Sequence, residues 1–309
     1  MELIPHNINV DFVGKRFFFV LFSLAINIVS IVLMFTRGLN YGLDFAGGAM
    51  IEVRFAQPTT SAAIQQAVQG QALEDLTIQD VGRDSKIFMV RFKQLQDQNL
   101  SDVSNAVQAA LTAQFGQTFE VLRVESVGSK VSGELRRKGF MAVLFSTLLM
   151  GTYIAFRFDL RFGLGAVIAL IHDVLVVTGA LTLIQMPFDL SVLAALLTVV
   201  GFSVHDTIIV SDRVRENMRK ARRESLASII NRSVNETLSR TIITSGTAIL
   251  VLLALFTLGG HVIRPFAFTL IIGFITGTYS SIYIAAPVVL YFEGTSWLKK
   301  SVSMRTAAR

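Results

Sequence analysis

The chain is 309 residues long, 52% hydrophobic and only 16% charged, with a mean hydropathy of +0.57, which excludes a soluble domain of that length and indicates a polytopic membrane protein. There is no cysteine, so a disulfide framework and a thiolate metal site are both excluded. The net charge of +6 does not describe a nucleic-acid surface: residues 37–138 hold 11 basic and 11 acidic side chains, leaving 17 against 11 for the apolar segments and their short loops.

Residues 1–16 form a short N-terminal segment ending in Lys15 and Arg16, followed by 19 uncharged residues, Phe17 to Phe35. At 1.5 Å per residue this run reaches about 28 Å, close to the hydrocarbon thickness, so it reads as a first, uncleaved span. Five more spans are expected at 139–156, 163–184, 190–211, 241–258 and 266–292, with a basic loop at 212–240 and a tail at 293–309. Lys15 and Arg16, Arg157 and Arg161, the eight basic residues from Arg213 to Arg240 and the four of the tail would all share one side. The positive-inside rule places that side, and both termini, in the cytoplasm of a bacterial inner membrane. Arg136, Arg137 and Lys138 disagree, but they close a domain of about 100 residues, and long domains translocate largely regardless of charge.

That domain, 36–138, patterns as βαββαβ: strand 50–55, helix 59–73 capped by Thr59, Thr60 or Ser61, a hairpin of 76–81 and 86–92 around Gly82 to Ser85, helix 101–115 and strand 119–124. The order is the ferredoxin-like split βαβ, which by itself names no function. The expected fold class is therefore an α-helical polytopic membrane protein of six transmembrane helices, with a ferredoxin-like α+β domain on the outer, periplasmic side between helices 1 and 2. In the last span Gly273, Gly277, Ser281 and Ala285 form a small-residue ridge, suited equally to packing within the chain or against a second subunit.

No Walker loop, dinucleotide fingerprint, GxSxG elbow or HExxH motif is present, so neither an enzyme nor a cofactor is expected. The ionisable residues inside the spans are His172, Asp173, His205 and Asp206, with Arg240 at the mouth of the fifth. A charge there costs about 2.5–3.5 kcal/mol, and intramembrane carboxylates usually mark ion pathways. Asp206 lies roughly 8 Å from the inner end of its span and Asp173 near 15 Å, so Asp206 and Arg240 could pair, with Thr244 and Ser245 one turn deeper on about the same face. A carboxyl beside a guanidinium has the parts of a protonation switch, because the cation favours the carboxylate while desolvation favours the acid. A static ion pair between helices is the plainer alternative for Asp206. For Asp173 it is a bond to a neighbouring hydroxyl, for the two histidines a satisfied core position, and for Arg240 one more positive-inside charge. The run from Arg213 to Ser225 reads as a solvated amphipathic loop near anionic lipid.

Four stretches together resemble the SecD/SecF family of protein-export membrane proteins: YGLDFAGGAMIEV (41–53), ALIHDVLVVTG (169–179), VGFSVHDTIIVSDRVREN (200–217) and LSRTIITSG (238–246). The resemblance runs from about Phe12 to Tyr291. It implies half of a resistance-nodulation-division-type bundle that pairs with the homologous six-span subunit SecD. The pair would assist the SecYEG translocon, with YajC and YidC as further partners, and draw unfolded secretory polypeptide across the membrane on the proton or sodium motive force. It places the essential membrane acid at Asp206, the essential arginine at Arg240, and the signature at the base of the outer domain at Gly42, Asp44, Gly47 and Gly48. His205 stands where the family pattern has asparagine and Ser129 where it has proline, which bears on the coupling ion and on the stiffness of the outer domain's exit. The alternatives are a half-transporter for small molecules or lipids, an intramembrane aspartyl protease on Asp173 and Asp206, and a passive scaffold. The small outer domain argues against the first, and the roughly 6 Å between the acids along the membrane normal against the second.

Overall fold

The computed structural model describes residues 9–71, 73–81, 84–93, 100–116, 118–221 and 223–292. The expected N-terminal residues 1–8, the tail 293–309, and Gly82 and Arg83 of the expected hairpin turn lie outside these. The chain divides into two compact units, one made of residues 41–140 with 187–190 and the other of the remainder.

The apolar unit holds α1 (Arg16–Thr36), and the soluble unit follows with α2 (Leu43–Ala46), β1 (Gly48–Phe55), α3 (Ser61–Val68), β2 (Glu74–Asp80), β3 (Ile87–Lys93), α4 (Leu100–Phe115) and β4 (Phe119–Val127). After these come α5 (Ser129–Arg157), α6 (Leu160–Ile184), α7 (Leu190–Lys220), α8 (Leu226–Leu258), α9 (Gly260–Ser280), a π-helical turn (Ser281–Ala285) and α10 (Ala286–Tyr291). Among the described residues six helical stretches are long and apolar enough to cross a membrane, the sixth being Gly260–Tyr291. Helix is what such sequences must form in lipid, where every backbone N–H and C=O has to be satisfied within the segment.

The soluble unit is a four-stranded sheet of order β2-β3-β1-β4 with every adjacent pair antiparallel. Phe88, Val90 and Phe92 alternate inward along β3 and meet Ile51, Val53 and Phe55 of β1. Ile64 and Val68 of α3 and Val107 and Leu111 of α4 close the core from the helical side. Of the three residues that could cap α3, Thr60 does so, its hydroxyl accepting from the Ala63 amide at 3.3 Å.

In the apolar unit the ends of the helices are set by side chains in the connections. Asp159 accepts from Leu160 N–H at 2.7 Å to start α6, Ser225 accepts from Ser228 N–H at 3.2 Å to start α8, and Gln185 ends α6 in the left-handed region at φ 53°. The expected loop at 212–240 is instead the end of α7 and the beginning of α8, with 221–225 between them. Intrahelical pairs sustain this helix beyond the apolar run: Arg213 to Glu216 at 2.7 Å and Lys220 to Glu216 at 2.6 Å.

Close packing uses small residues. The ridge on α9 turns into its own chain: a Cβ on Gly273 would meet Val199, one on Gly277 would meet Ser203 of α7, and Gly165 of α6 lies against the Ala285 carbonyl. α1 presents lipid-type side chains outward and a polar stripe inward. Ser23 is 2.8 Å from the Tyr279 hydroxyl, Asn27 is 3.1 Å from His172 Nδ1, and Ser30 sits against Gly179. A Cβ at Gly179 would lie 2.3 Å from the Ser30 hydroxyl. Gly179→Ala should therefore lower the unfolding midpoint in detergent, by the equivalent of about 1–3 kcal/mol of overpacking, and adding Ser30→Gly should recover part of the loss, since the Ser30 Cα still lies 2.9 Å from the new methyl.

Candidate functional site

The signature Gly42–Gly48 is a small structure of its own inside the soluble unit. Gly42 N–H donates to the Phe188 carbonyl at 2.7 Å, and Asp44 Oδ2 accepts from Leu190 N–H at 3.0 Å. Residues 187–190, which follow α6 and precede α7 in the chain, are thus gripped by the signature. Tyr41 and Phe45 frame Phe188, and Arg136 lies over the Tyr41 ring while donating to the Phe45 carbonyl at 2.7 Å. Arg136, which reads as a topology exception, has this clamp as its reason. Gly47 and Gly48 have φ of +74° and +105°, and a Cβ on Gly48 would come within 2.5 Å of the Phe92 carbonyl, so no other residue fits there without moving β3.

Asp173 and Asp206 are both fully buried in the apolar unit. Asp173 Oδ2 accepts from Ser203 at 2.6 Å and from Ser280 at 2.8 Å, which matches the plainer alternative of a carboxyl held by hydroxyls. Asp206 Oδ2 accepts from Thr278 at 3.2 Å, and the Thr278 hydroxyl is 2.8 Å from Ser245. Thr278 has one hydroxyl proton and gives it to Asp206, so Ser245 is the donor of the second bond and the relay runs Ser245 to Thr278 to Asp206. The remaining oxygens, Asp173 Oδ1 and Asp206 Oδ1, have no hydrogen-bond partner among the described residues. Each acid therefore has one oxygen held and one open.

Three expectations are corrected here. Asp206 and Arg240 do not pair: Arg240 is exposed, and no ion pair or hydrogen bond of its side chain occurs among the described residues. The buried face of α8 runs through Ser233, Thr237, Thr241 and Ser245, and residue 240 is rotated about 100° from Thr241, its neighbour at the same depth. For the same reason Thr244 is exposed and bonds back to the Arg240 carbonyl at 2.9 Å, whereas Ser245 reaches the acid's relay. His205 is not a core histidine: it is exposed on α7. His172, in contrast, is a satisfied core histidine, bonded to Asn27.

Ser203, Thr278 and Ser280 are the site residues that the ionisable pattern misses. For Thr278 and Ser280 the sequence signal is a run of hydroxyls, Thr276, Thr278, Ser280 and Ser281, within an apolar helix; Ser203, on α7, has no such signal. Just beyond them the π turn and Pro287 interrupt the regular ladder of bonds, a local widening that helices favour near working sites.

Among proteins of known family, residues 107–295 match the family model described as "Protein export membrane protein SecD/SecF, C-terminal", and residues 32–59 match the "SecD/SecF GG Motif". The chain is 43% identical over 289 residues to the protein translocase subunit SecF of Desulfurispirillum indicum, covering 92% of each. It is 45% identical over 309 residues to the SecF subunit of Magnetococcus marinus, covering 99% of each. The crystal structure of SecDF from Thermus thermophilus, described as a translocon-associated membrane protein, superposes with a TM-score of 0.86 at 34% identity, over 95% of this chain. This chain spans 40% of the length of that one.

Proposed function

The chain belongs to the SecD/SecF family of protein-export membrane proteins, and we propose that it is the SecF-type half of an ion-driven accessory device on the Sec translocon. Its partner would be SecD, the homologous half that completes the bundle. SecYEG and an unfolded secretory polypeptide would be met by the assembled pair, with YajC and YidC beside it. The βαββαβ unit is read as a ferredoxin-like domain on the periplasmic side, and both termini as cytoplasmic in the inner membrane. The basic residues of α7 and α8 support that orientation.

The observation that carries the reading is the contrast between Asp206 and Arg240. The acid is fully buried with one oxygen held by a hydroxyl and the other open, and the arginine of the same machinery stands on an exposed helix face, unpaired among the described residues. An exposed arginine and histidine within the apolar segments are costly against lipid, so this face favours cover by a second subunit. In the assembled pair Arg240 and Asp206 would alternate between separated and adjacent states as an ion binds and leaves. The donor set suits a proton better than a sodium ion, since a hard cation takes about six oxygens and Asp206 has one hydroxyl on one oxygen. The grip of the signature on residues 187–190 supplies a mechanical link, because that loop joins the helix of Asp173 to the helix of Asp206.

The test is complementation of export. In cells depleted of their own subunit, this chain supplied with its SecD should restore export of a secreted reporter, and either chain alone should not. Proton flux through liposomes holding this chain alone would overturn the reading, as would failure of the assembled pair to restore export. A half-transporter of small molecules or lipids would leave export unrestored while changing efflux.

A further inference from the structure

Along its buried face α8 carries hydroxyls at every fourth position: Ser233, Thr237, Thr241 and Ser245, all under 9% exposed. At 1.5 Å per residue the rungs stand about 6 Å apart and the set spans about 18 Å. The lowest rung is tied to charged surface: Asn217 Nδ2 donates to Ser233 Oγ at 2.9 Å and to Glu236 at 2.7 Å, and Glu236 accepts from Arg213 at 2.6 Å. The highest rung is Ser245, the first member of the relay that ends on Asp206.

Serine and threonine often bond back to the helix's own carbonyls and serve only as packing. Ser233 and Thr237 do bond back in this way, to Ile229 and to Ser233 at 2.7 and 2.9 Å. Thr241 does not. Its hydroxyl is buried, at 2% residue exposure, and has no hydrogen-bond partner among the described residues, as is also true of the Asp206 oxygen facing away from Thr278. A hydroxyl left unbonded in an apolar helix bundle is a cost that packing alone does not explain. A gap of about 6 Å between rungs accommodates one water making two ordinary hydrogen bonds.

We propose that this ladder is the inner access route by which protons reach Asp206, with one water bridging each pair of rungs and Thr241 as the rung that makes the route continuous. The inference rests on the reading of Asp206 as the ion site. Each step breaks one O–H bond and forms another on the next oxygen upward. One proton leaves the inner solution, one O–H forms on Asp206, and each hydroxyl and water ends with the protons it began with. Besides the charged residues at the inner ends of α7 and α8, among them Arg213, Glu216 and Glu236, the elements around Asp206 carry Asp173 and His172 of α6, Tyr279 of α9, Arg240 of α8, and His205 and Asp212 of α7 itself. Among the described residues no hydrogen bond or ion pair joins any of these side chains directly to the ladder.

The experiment uses the complex with its SecD partner in oriented liposomes. Protonation of Asp206 is followed by time-resolved infrared difference spectroscopy of the carboxyl band, assigned by its loss in Asp206→Asn. After a pH jump on the inner side, Thr241→Val should slow the band about tenfold, the kinetic equivalent of one lost hydrogen bond, and leave its response to an outer jump unchanged. Thr241→Ser, which keeps the hydroxyl, should behave as the native chain, and Thr237→Val should slow the band as Thr241→Val does. If the Asp206 band is present and Thr241→Val leaves the inner response unchanged, the ladder is wrong while the ion site stands. If Asp206→Asn removes no band, the ion-site reading falls and the ladder with it.

Discussion

Asp206→Asn should abolish export of a secreted reporter to the level of cells lacking the subunit, while the protein accumulates normally and still co-purifies with SecD. Asparagine keeps an oxygen where Thr278 donates, and it has nearly the shape of aspartate, so the packing of α7 on α9 survives. What it loses is the ability to gain and release a proton. Removing a buried ionisable group also removes a burial cost, so stability in detergent should hold or rise. A passive scaffold predicts the reverse, normal export with an unchanged complex. Asp173→Asn is the internal comparison. Its oxygen meets two hydroxyl donors, from Ser203 and Ser280, and an amide there satisfies both, so a milder loss that leaves measurable export is expected. Pulse-chase measurement of the exported fraction separates the three cases.

How far the chain could be read before its structure follows from the kind of signal each feature carries. The six spans and the two buried acids stand out because an apolar run of helix length has one solution in lipid and a carboxyl within it is conspicuous. Register was legible in part. The i to i+4 rule connects Arg240 with Thr244, but nothing in the local pattern says which side of α8 is inward. That is decided by Gly273 and Gly277 drawing α9 onto α7 and by Ser245 meeting Thr278 across α8 and α9. Depth alone allows the pair Asp206–Arg240, and depth leaves out the 100° between consecutive residues of a helix. Arg136 carries the same lesson in the soluble unit. As a count it disturbs the charge balance, and as a contact it holds Tyr41 and Phe45 in the signature. The ends of α7 and α8 are hidden from hydropathy because charged residues interrupt their apolar run, although Val214, Leu226, Ile229 and Ile230 pack into the core there and pairs such as Glu216 with Lys220 sustain the helix.

Arg240→Ala should be as damaging to export as the loss of Asp206, yet leave the isolated chain as stable as before. In this chain the guanidinium is exposed, so its removal belongs with surface substitutions, within about 0.5 kcal/mol in either direction. A structural ion pair with Asp206 would behave differently, since removing one partner of a buried pair costs about 3–5 kcal/mol. The unfolding midpoint of the purified chain therefore tests the geometry, and export tests the function, independently. Arg240→Lys sharpens the second test. It keeps the charge but gives up the planar fork that can hold a carboxylate through two bonds, so partial export is expected if the arginine acts on an acid in the assembled pair. If lysine restores export fully, charge alone suffices and the alternation between separated and adjacent states needs no bidentate contact. A large drop in the midpoint with alanine would instead place Arg240 inside the bundle, against the exposed position that the contrast with Asp206 depends on.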